Sequence, residues 1–337
     1  MTDAPARTTL TGDELVDLLA GPLAGRPDVG SVMIVDGVPT GRRDELARAG
    51  ARLATLPWLV LARHGWDGAA AGALGLVDAI VDDPDDLAAI DETVDRAPIA
   101  SVALALHLRS RWPSIADGLV SESTLYSALQ AGPEFARWRA ETPRRTDRVP
   151  GGPAVRIERT GDELHIELTR PEVRNALSAQ LRDELLEALA VAEADEALHV
   201  TLTGQGPSFC SGGDLDEFGT FADPASAHLL RVERSIGAVL ARLADRLTVR
   251  MQGACAGSGI ELPAFAGTVI ADPGTTFRLP ELALGLVPGA GGTVSLPARI
   301  GRHATAHLAL TGTPIDAPTA LRTGLIDEVA EVPAPPA

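Results

Sequence analysis

Apolar residues recur along this chain at two spacings, and the switches between them predict its elements. Val155 and Ile157, then Leu164, Ile166 and Leu168, alternate with polar residues around Thr160-Gly161-Asp162, which predicts a β-hairpin. Leu181, Leu185, Leu186 and Leu189 follow at helical spacing and 200–203 reads as a strand. Leu229, Ile236, Val239, Leu240, Leu243 and Leu247 predict one longer helix. A short buried strand is expected at 268–271, closed by Asp272-Pro273-Gly274. Upstream, the pattern gives a strand at 32–35, a helix at 43–55 and an apolar run at 58–62. Helices are then expected at 85–96, 98–111 and 121–140, punctuated by Pro98, Pro113 and Gly132-Pro133. Strand and helix alternating in this way predict an α/β fold with a largely parallel sheet, whose ligands sit at the carboxyl ends of the strands. Residues 142–153, TPRRTDRVPGGP, read as a linker with solvated arginines. The chain thus divides into an N-terminal unit at 1–142, a linker at 143–153 and a core at 154–332.

With 337 residues, of which 45% are hydrophobic and 22% charged, the chain suits a soluble globular protein of about two domains. No apolar run approaches the roughly 18 residues of a membrane span. The N-terminal MTDAPARTTLTGDEL does not read as a secretory signal, so a cytoplasmic location is expected. A net charge of −17 disfavours nucleic acid and anionic membrane as partners. The sequence has no lysine, which excludes Schiff-base chemistry and a Walker A loop. Cys210 and Cys255 lack metal-ligand spacing and read as small buried residues. His303 and His307 stand four apart like a zinc pair, but Ala304 occupies the place of the metalloprotease glutamate. No metal is expected.

The candidate chemistry lies in 249–293. Gly253, Gly257 and Gly259 mark a strand-to-helix turn where free amides can face a ligand oxygen, and Glu261 follows in an apolar setting. Glu281, after Pro280, precedes a second glycine run at 285–292. The two carboxylates meet only if the chain between them crosses the sheet and returns. A third turn, GQGPSFCSGGDLDEF at 204–218, offers one more exposed amide.

Four stretches in this order, TRPEVRNALS (169–178), SFCSGGDLDEF (208–218), GACAGSGIEL (253–262) and FRLPELALGLVPGAGGT (277–293), resemble the motifs of the crotonase, or enoyl-CoA hydratase/isomerase, superfamily. The resemblance implies a ClpP/crotonase-like spiral of ββα units. It places an oxyanion hole on the backbone N–H groups of Gly213 and Ser258, the catalytic pair on Glu261 and Glu281, and a water-positioning amide on Gly289. Arg170 and Arg174 fall in the loop that contacts coenzyme A in relatives. Asp214 is expected to cap a helix. An acyl-CoA thioester is implied as substrate, and no cofactor is implied, since coenzyme A is part of that substrate. A closed homo-oligomer, trimer or hexamer, is implied as well.

Gly324-Leu325-Ile326-Asp327-Glu328-Val329 matches a family strand that helices normally follow, and here the chain ends soon after it. Gly75-Leu76-Val77-Asp78-Ala79-Ile80 repeats the phrase, with helical sequence behind it. Residues 30–140 therefore resemble a degenerate, truncated crotonase unit without catalytic residues. Its helices at 85–140 are expected to take over the covering or oligomer-forming role of the C-terminal helices, over the core near Leu308, Leu310 and Leu321. The expected activity is hydration of a 2-enoyl-CoA. The alternatives are a Δ3,Δ2-enoyl-CoA isomerase and a non-catalytic acyl-CoA-binding or scaffold protein.

Overall fold

The computed structural model of the protein describes residues 6–22, 27–66, 73, 75–145 and 151–331. The first part runs β1 (Arg7–Thr11), α1 (Gly12–Ala20), β2 (Val32–Asp36), α2 (Arg43–Leu53), β3 (Leu59–Arg63) and β4 (Ala79–Ile80). The strands form one parallel sheet in the order β1-β2-β3-β4. A capping box between Thr11 and Glu14 starts α1, whose Leu15, Val16 and Leu19 pack on Met33, Val35 and Val60 in a core of their own. β1 and α1 escape the sequence reading because β1 is a polar edge strand, RTTLT, only five residues long.

Four helices follow: α3 (Pro84–Arg96), α4 (Pro98–Arg109), α5 (Ile115–Gln130) and α6 (Pro133–Glu141). The helix expected at 121–140 is two helices. Gly132 interrupts it, and Pro133, which lacks an N–H, begins the second. The Ser114 hydroxyl accepts from the Asp117 amide, so α5 starts six residues earlier than expected.

The second part opens with the hairpin β5 (Val155–Thr160) and β6 (Glu163–Leu168), paired antiparallel as expected. It continues through α7 (Ala179–Ala194), β7 (His199–Gly204), α8 (Pro224–Glu233), α9 (Ile236–Leu243), β8 (Leu247–Met251), β9 (Ala254–Ala256), α10 (Ser258–Glu261), β10 (Thr268–Ala271) and β11 (Thr276–Arg278). Last come α11 (Gly292–Ile300), α12 (Arg302–Thr311), β12 (Ile315–Asp316), α13 (Ala317–Thr323) and β13 (Glu328–Val329). The single helix expected from Leu229 to Leu247 breaks at Ser235, whose hydroxyl accepts from Ala238 N and begins a new helix, and Leu247 opens a strand. A six-stranded sheet has the order β13-β10-β8-β7-β6-β5, and a small sheet has the order β12-β11-β9. The successive pairs β8/β9 and β10/β11 each place one strand in the large sheet and the next in the small one before a helix follows. This progression is the ββα spiral.

The repeated phrase has one hydrogen-bond pattern in both places. Val60 N donates to Asp78 Oδ2 at 2.9 Å, and Asp78 N donates to Val60 O. Val269 N donates to Asp327 Oδ2 at 2.7 Å, and Asp327 N donates to Val269 O. Each aspartate is held by an arginine, Asp78 by Arg109 and Asp327 by Arg299.

α12 packs against β4, α3 and α4, while α5 packs against α8, α9 and α11, so the helices after the first sheet lie on the second part. His303 bonds to Val77 O and His307 to Asp86, fastening α12 to the first part. Leu308 and Leu310 are buried there, but Leu321 stays 42% exposed, so the cover does not reach it. The linker arginines described are not merely solvated. Arg144 donates to the carbonyls of Asp216 and Phe218, and Arg145 pairs with Asp216, so the chain is tied down where it leaves α6. Positions 146–150 and 332 lie outside the described residues. Among the described residues, no helix is long and apolar enough to cross a membrane.

Candidate active site

Three turns of the second part converge on one cavity of about 330 Å³. At the turn before α10, Gly257 has φ +50°, and a Cβ built on it would lie 2.3 Å from Glu281 Oε1 and 3.7 Å from the Gly212 Cα. Only glycine lets the three segments meet this closely. Gly213 and Ser258 both line the cavity. Neither backbone N–H donates to a protein acceptor among the described residues, Ser258 being the first residue of α10. Both amides are available to a ligand oxygen.

Glu261, at the end of α10 and 2% exposed, turns its carboxylate to the glycine run at the start of α11. Its Oε2 accepts from Ala290 N at 2.8 Å and Gly292 N at 2.9 Å. A side chain at Gly292 would collide with it, since a built Cβ lies 2.6 Å from Glu261 Cγ. Glu281 begins a short 3-10 turn, Glu281–Leu284, and its Oε2 is enclosed without a hydrogen-bond partner among the described residues. The β10–β11 crossing between these glutamates brings them to one cavity. Gly289 lines it as well and lies against the Tyr126 ring, 2.3 Å from a Cβ built on the glycine.

A third carboxylate reaches the site from α5. Glu122, 2% exposed, accepts from Gly291 N at 2.7 Å, from Thr293 N at 2.8 Å and from Thr293 Oγ1 at 2.6 Å. His107 of α4 lies 2.9 Å from the same hydroxyl. The amides of 290–293 therefore go alternately to Glu261 and Glu122, which satisfy donors that α11 leaves without side-chain caps. Leu119, Glu122, Ser123 and Tyr126 share one face of α5 and all line the cavity. The 30–140 stretch, read from the sequence as a unit without catalytic residues, thus contributes lining residues to the cavity.

Burial pushes all three carboxyls up, because the charged form loses its water. The Glu122 carboxyl rises to about 8, chiefly by burial and then by the charge of Glu261. Glu261 rises to about 7, burial outweighing the amides that favour its anion. Glu281 is pushed well above the ordinary range by burial first and the charge of Glu261 next. A proton donor and a carboxyl able to change state near neutrality thus face the same space, the usual requirement of general acid–base work.

The other predicted residues stand elsewhere. Arg170 and Arg174 do not line the cavity; Arg170 pairs with Glu172, and Arg174 is exposed with φ +52°. The arginines that do line it are Arg182, Arg231 and Arg234. Arg231 sits 4.8 Å from the Tyr126 ring centroid. Asp214 caps no helix. Its Oδ1 accepts from Asp216 N inside the 215–219 turn. Cys210 and Cys255 are buried, as expected.

A sequence model of the Enoyl-CoA hydratase/isomerase family matches residues 161–334. The chain is 34% identical over 176 residues to Enoyl-CoA isomerase/hydratase fer4 of Mycosarcoma maydis, a match covering 49% of this chain and 64% of that protein. It is 32% identical over 174 residues to 2,3-dehydroadipyl-CoA hydratase of Escherichia coli, covering 51% of this chain and 68% of that one. Against the mitochondrial enoyl-CoA hydratase of Pongo abelii it is 32% identical over 170 residues and spans 57% of that protein's length. Among solved structures, an enoyl-CoA hydratase from Thermoplasma volcanium gives a TM-score of 0.49 at 34% identity, over 53% of this chain and 72% of that one.

Proposed function

We propose, from the premise that this chain belongs to the enoyl-CoA hydratase/isomerase (crotonase) family, that it adds water to a 2-enoyl-CoA to give the 3-hydroxyacyl-CoA. The observation that carries this reading is the meeting of two free amides and two buried glutamates on one cavity. With the thioester oxygen against Gly213 N and Ser258 N, the C2=C3 bond is polarised so that C3 accepts a nucleophile. Donors of this kind contribute about 2.7–4 kcal/mol each in comparable sites. Glu261 takes a proton from water as its oxygen bonds to C3, and the electron pair moves onto the thioester oxygen as an enolate. Glu281, whose carboxyl burial keeps protonated, delivers its proton to C2. Return of the proton from Glu261 to Glu281 closes the cycle. Gly289, on the same rim, would orient the water.

One observation favours the isomerase as a second reading. Two amides already hold Glu261 Oε2, whereas Glu281 Oε2 is enclosed without a hydrogen-bond partner among the described residues and is left to shuttle a proton between C2 and C4 of a 3-enoyl-CoA. Incubation with crotonyl-CoA, followed by its loss of absorbance, separates the two. Hydration supports the first reading, and turnover of a 3-enoyl-CoA without hydration supports the second.

Coenzyme A would lie against the 169–178 loop with Arg170 and Arg174. Replacing both by alanine should raise KM and leave kcat, and an unchanged KM would remove them from binding. We read residues 1–142 as a shortened first crotonase-like unit, and the assembly as a closed homo-oligomer. A concentration-independent monomer in sedimentation would refute the latter.

A further inference from the structure

Glu122 lies outside the residues that the family match covers, on a helix of the first part of the chain. We propose that it is a positioning residue for the reaction, holding the 290–293 turn so that the same turn can hold Glu261. The inference rests on the acid–base reading above.

A glutamate buried to 2% exposure on the inward face of a helix is costly unless bonded. All its bonds go to one place, the amides of Gly291 and Thr293 and the Thr293 hydroxyl, and none goes to its own helix. Those amides interleave with Ala290 N and Gly292 N, the two donors to Glu261 Oε2. Gly291 has φ +106°, and the run carries glycine at 289, 291 and 292, so the backbone has little stiffness of its own. Two carboxylates gripping alternate amides from opposite sides fix its path. Releasing one lets the turn move relative to the other.

The network also tolerates either protonation state of Glu122. Ionised, it accepts from the Thr293 hydroxyl. Protonated, it can donate to Thr293 Oγ1, which then donates to His107 Nε2, 2.9 Å away. Burial keeps the His107 ring neutral, pushing it down to about 4, so it can serve as that acceptor. The bonds between Glu122 and the 291–293 turn persist in both charge states, while the contact between Thr293 Oγ1 and His107 Nε2 persists only if the ring changes tautomer, its Nε2–H donating when Glu122 is ionised.

The titratable and charged groups around this cluster are Glu261 on α10, Glu281 on the 281–284 turn, Tyr126 on the same helix, Arg231 on α8, the neutral His107 on α4 and, beside Glu281, Arg278. Glu122 and Glu261 both push the Glu281 carboxyl up. In Glu122→Gln, one charge is gone and the new NH2 must face a backbone N–H, either that of Gly291 or that of Thr293.

The test uses the full-length protein, with folding checked by near-UV circular dichroism. Glu122→Gln should lower kcat by about 10- to 100-fold, as a misplaced catalytic group does, with KM within about twofold. The alkaline limb of its pH–rate profile should move to lower pH, since Glu281 loses its proton more easily without the neighbouring charge. Thr293→Val keeps the backbone bond to Glu122 and removes only the hydroxyl. It should shift both readouts in the same direction by less, and it stands in if the glutamine variant does not fold. Independently of turnover, 13C-carboxyl NMR should show Glu281 titrating at lower pH in either variant. Wild-type kcat, or an unmoved Glu281 titration, overturns the proposal. Failure of the wild-type enzyme to turn over crotonyl-CoA or a 3-enoyl-CoA counts against the acid–base reading instead, and the titration still decides the role of Glu122.

Discussion

Replacing Glu261 by glutamine removes a base while leaving its mooring. The two amides that bind this side chain, Ala290 N and Gly292 N, both converge on Oε2, and a carboxamide oxygen can occupy that position and accept both. The NH2 group then takes the place of Oε1 with almost no change in volume, so the fold should survive. What is lost is the ability to take a proton from water. General base catalysis contributes about 10² to 10⁴ in rate, or about 2.7 to 5.4 kcal/mol of barrier at 1.36 kcal/mol per decade. Hydration of crotonyl-CoA, followed by loss of its absorbance, should therefore fall at least about 100-fold in kcat. Glu281→Gln should fall comparably, and the double variant should be only slightly worse than either, because groups that act as a unit in one addition are not additive. If Glu261→Gln hydrates crotonyl-CoA at close to the wild-type rate, the hydratase mechanism is wrong. If the same variant retains turnover of a 3-enoyl-CoA, the isomerase reading gains.

Four further outcomes are expected. Gly257→Ala, which forces a Cβ to 2.3 Å from Glu281 Oε1 at a φ of +50°, should cut kcat about 10-fold or more; unaltered kinetics would mean the turn and the carboxyl are not in contact. Arg109→Met removes the nearer cation from Asp78, whose side chain is only 1% exposed and keeps Val60 N and Arg302 at 3.7 Å, and should lower the unfolding free energy by about 3 kcal/mol in a denaturant titration, whereas a loss under about 1 kcal/mol would contradict the buried pair. Glu122 and Glu261 titrate near 8 and 7 in the fold against 4.5 when free, so the folded state binds more protons between those limits. Their neutral forms stabilise the fold fully below about 4.5, and that contribution is lost as pH rises through 7 and 8; Tm should fall between pH 6 and 9, and a flat or rising Tm would count against the shifts. A fragment starting at Gly151 lacks the helices over Leu308 and Leu310 and should be insoluble; a soluble, active fragment would contradict their covering role.

The second half was readable because its signals are local. The 160–162 turn, the strand at 268–271 and the glycines before Glu261 each encode their own conformation, and the order of motifs encodes the spiral. Glu122 was not readable, and the reason is a misplaced boundary. With α5 taken to begin at 121, a glutamate at 122 falls in the first turn, where a carboxylate is an ordinary complement to the helix dipole. With the true start at Ile115, it falls mid-helix on the face shared by Leu119 and Tyr126, where a charge signals a buried partner. The break at Ser235 was hidden in a similar way, because Leu229 and Ile236 keep helical spacing across it while the cap at Ser235 starts a new helix. The arginines near the 169–178 loop show the opposite limit. Their side-chain directions depend on neighbours such as Glu172, which spacing alone does not reveal.

The bond from Gly291 to Glu122 spans 169 residues, and the earlier residue reaches the pocket from a helix of the first part. During synthesis at roughly 5–20 residues per second, α5 emerges about 8 to 34 s before the turn it grips. For that interval its inward face, with Leu119, Glu122 and Tyr126, has no pocket to close. A ribosome that stalls after residue 150 releases a cover without an enzyme. The pocket can form only once translation has passed Thr293, so any activity reports on chains made at least that far.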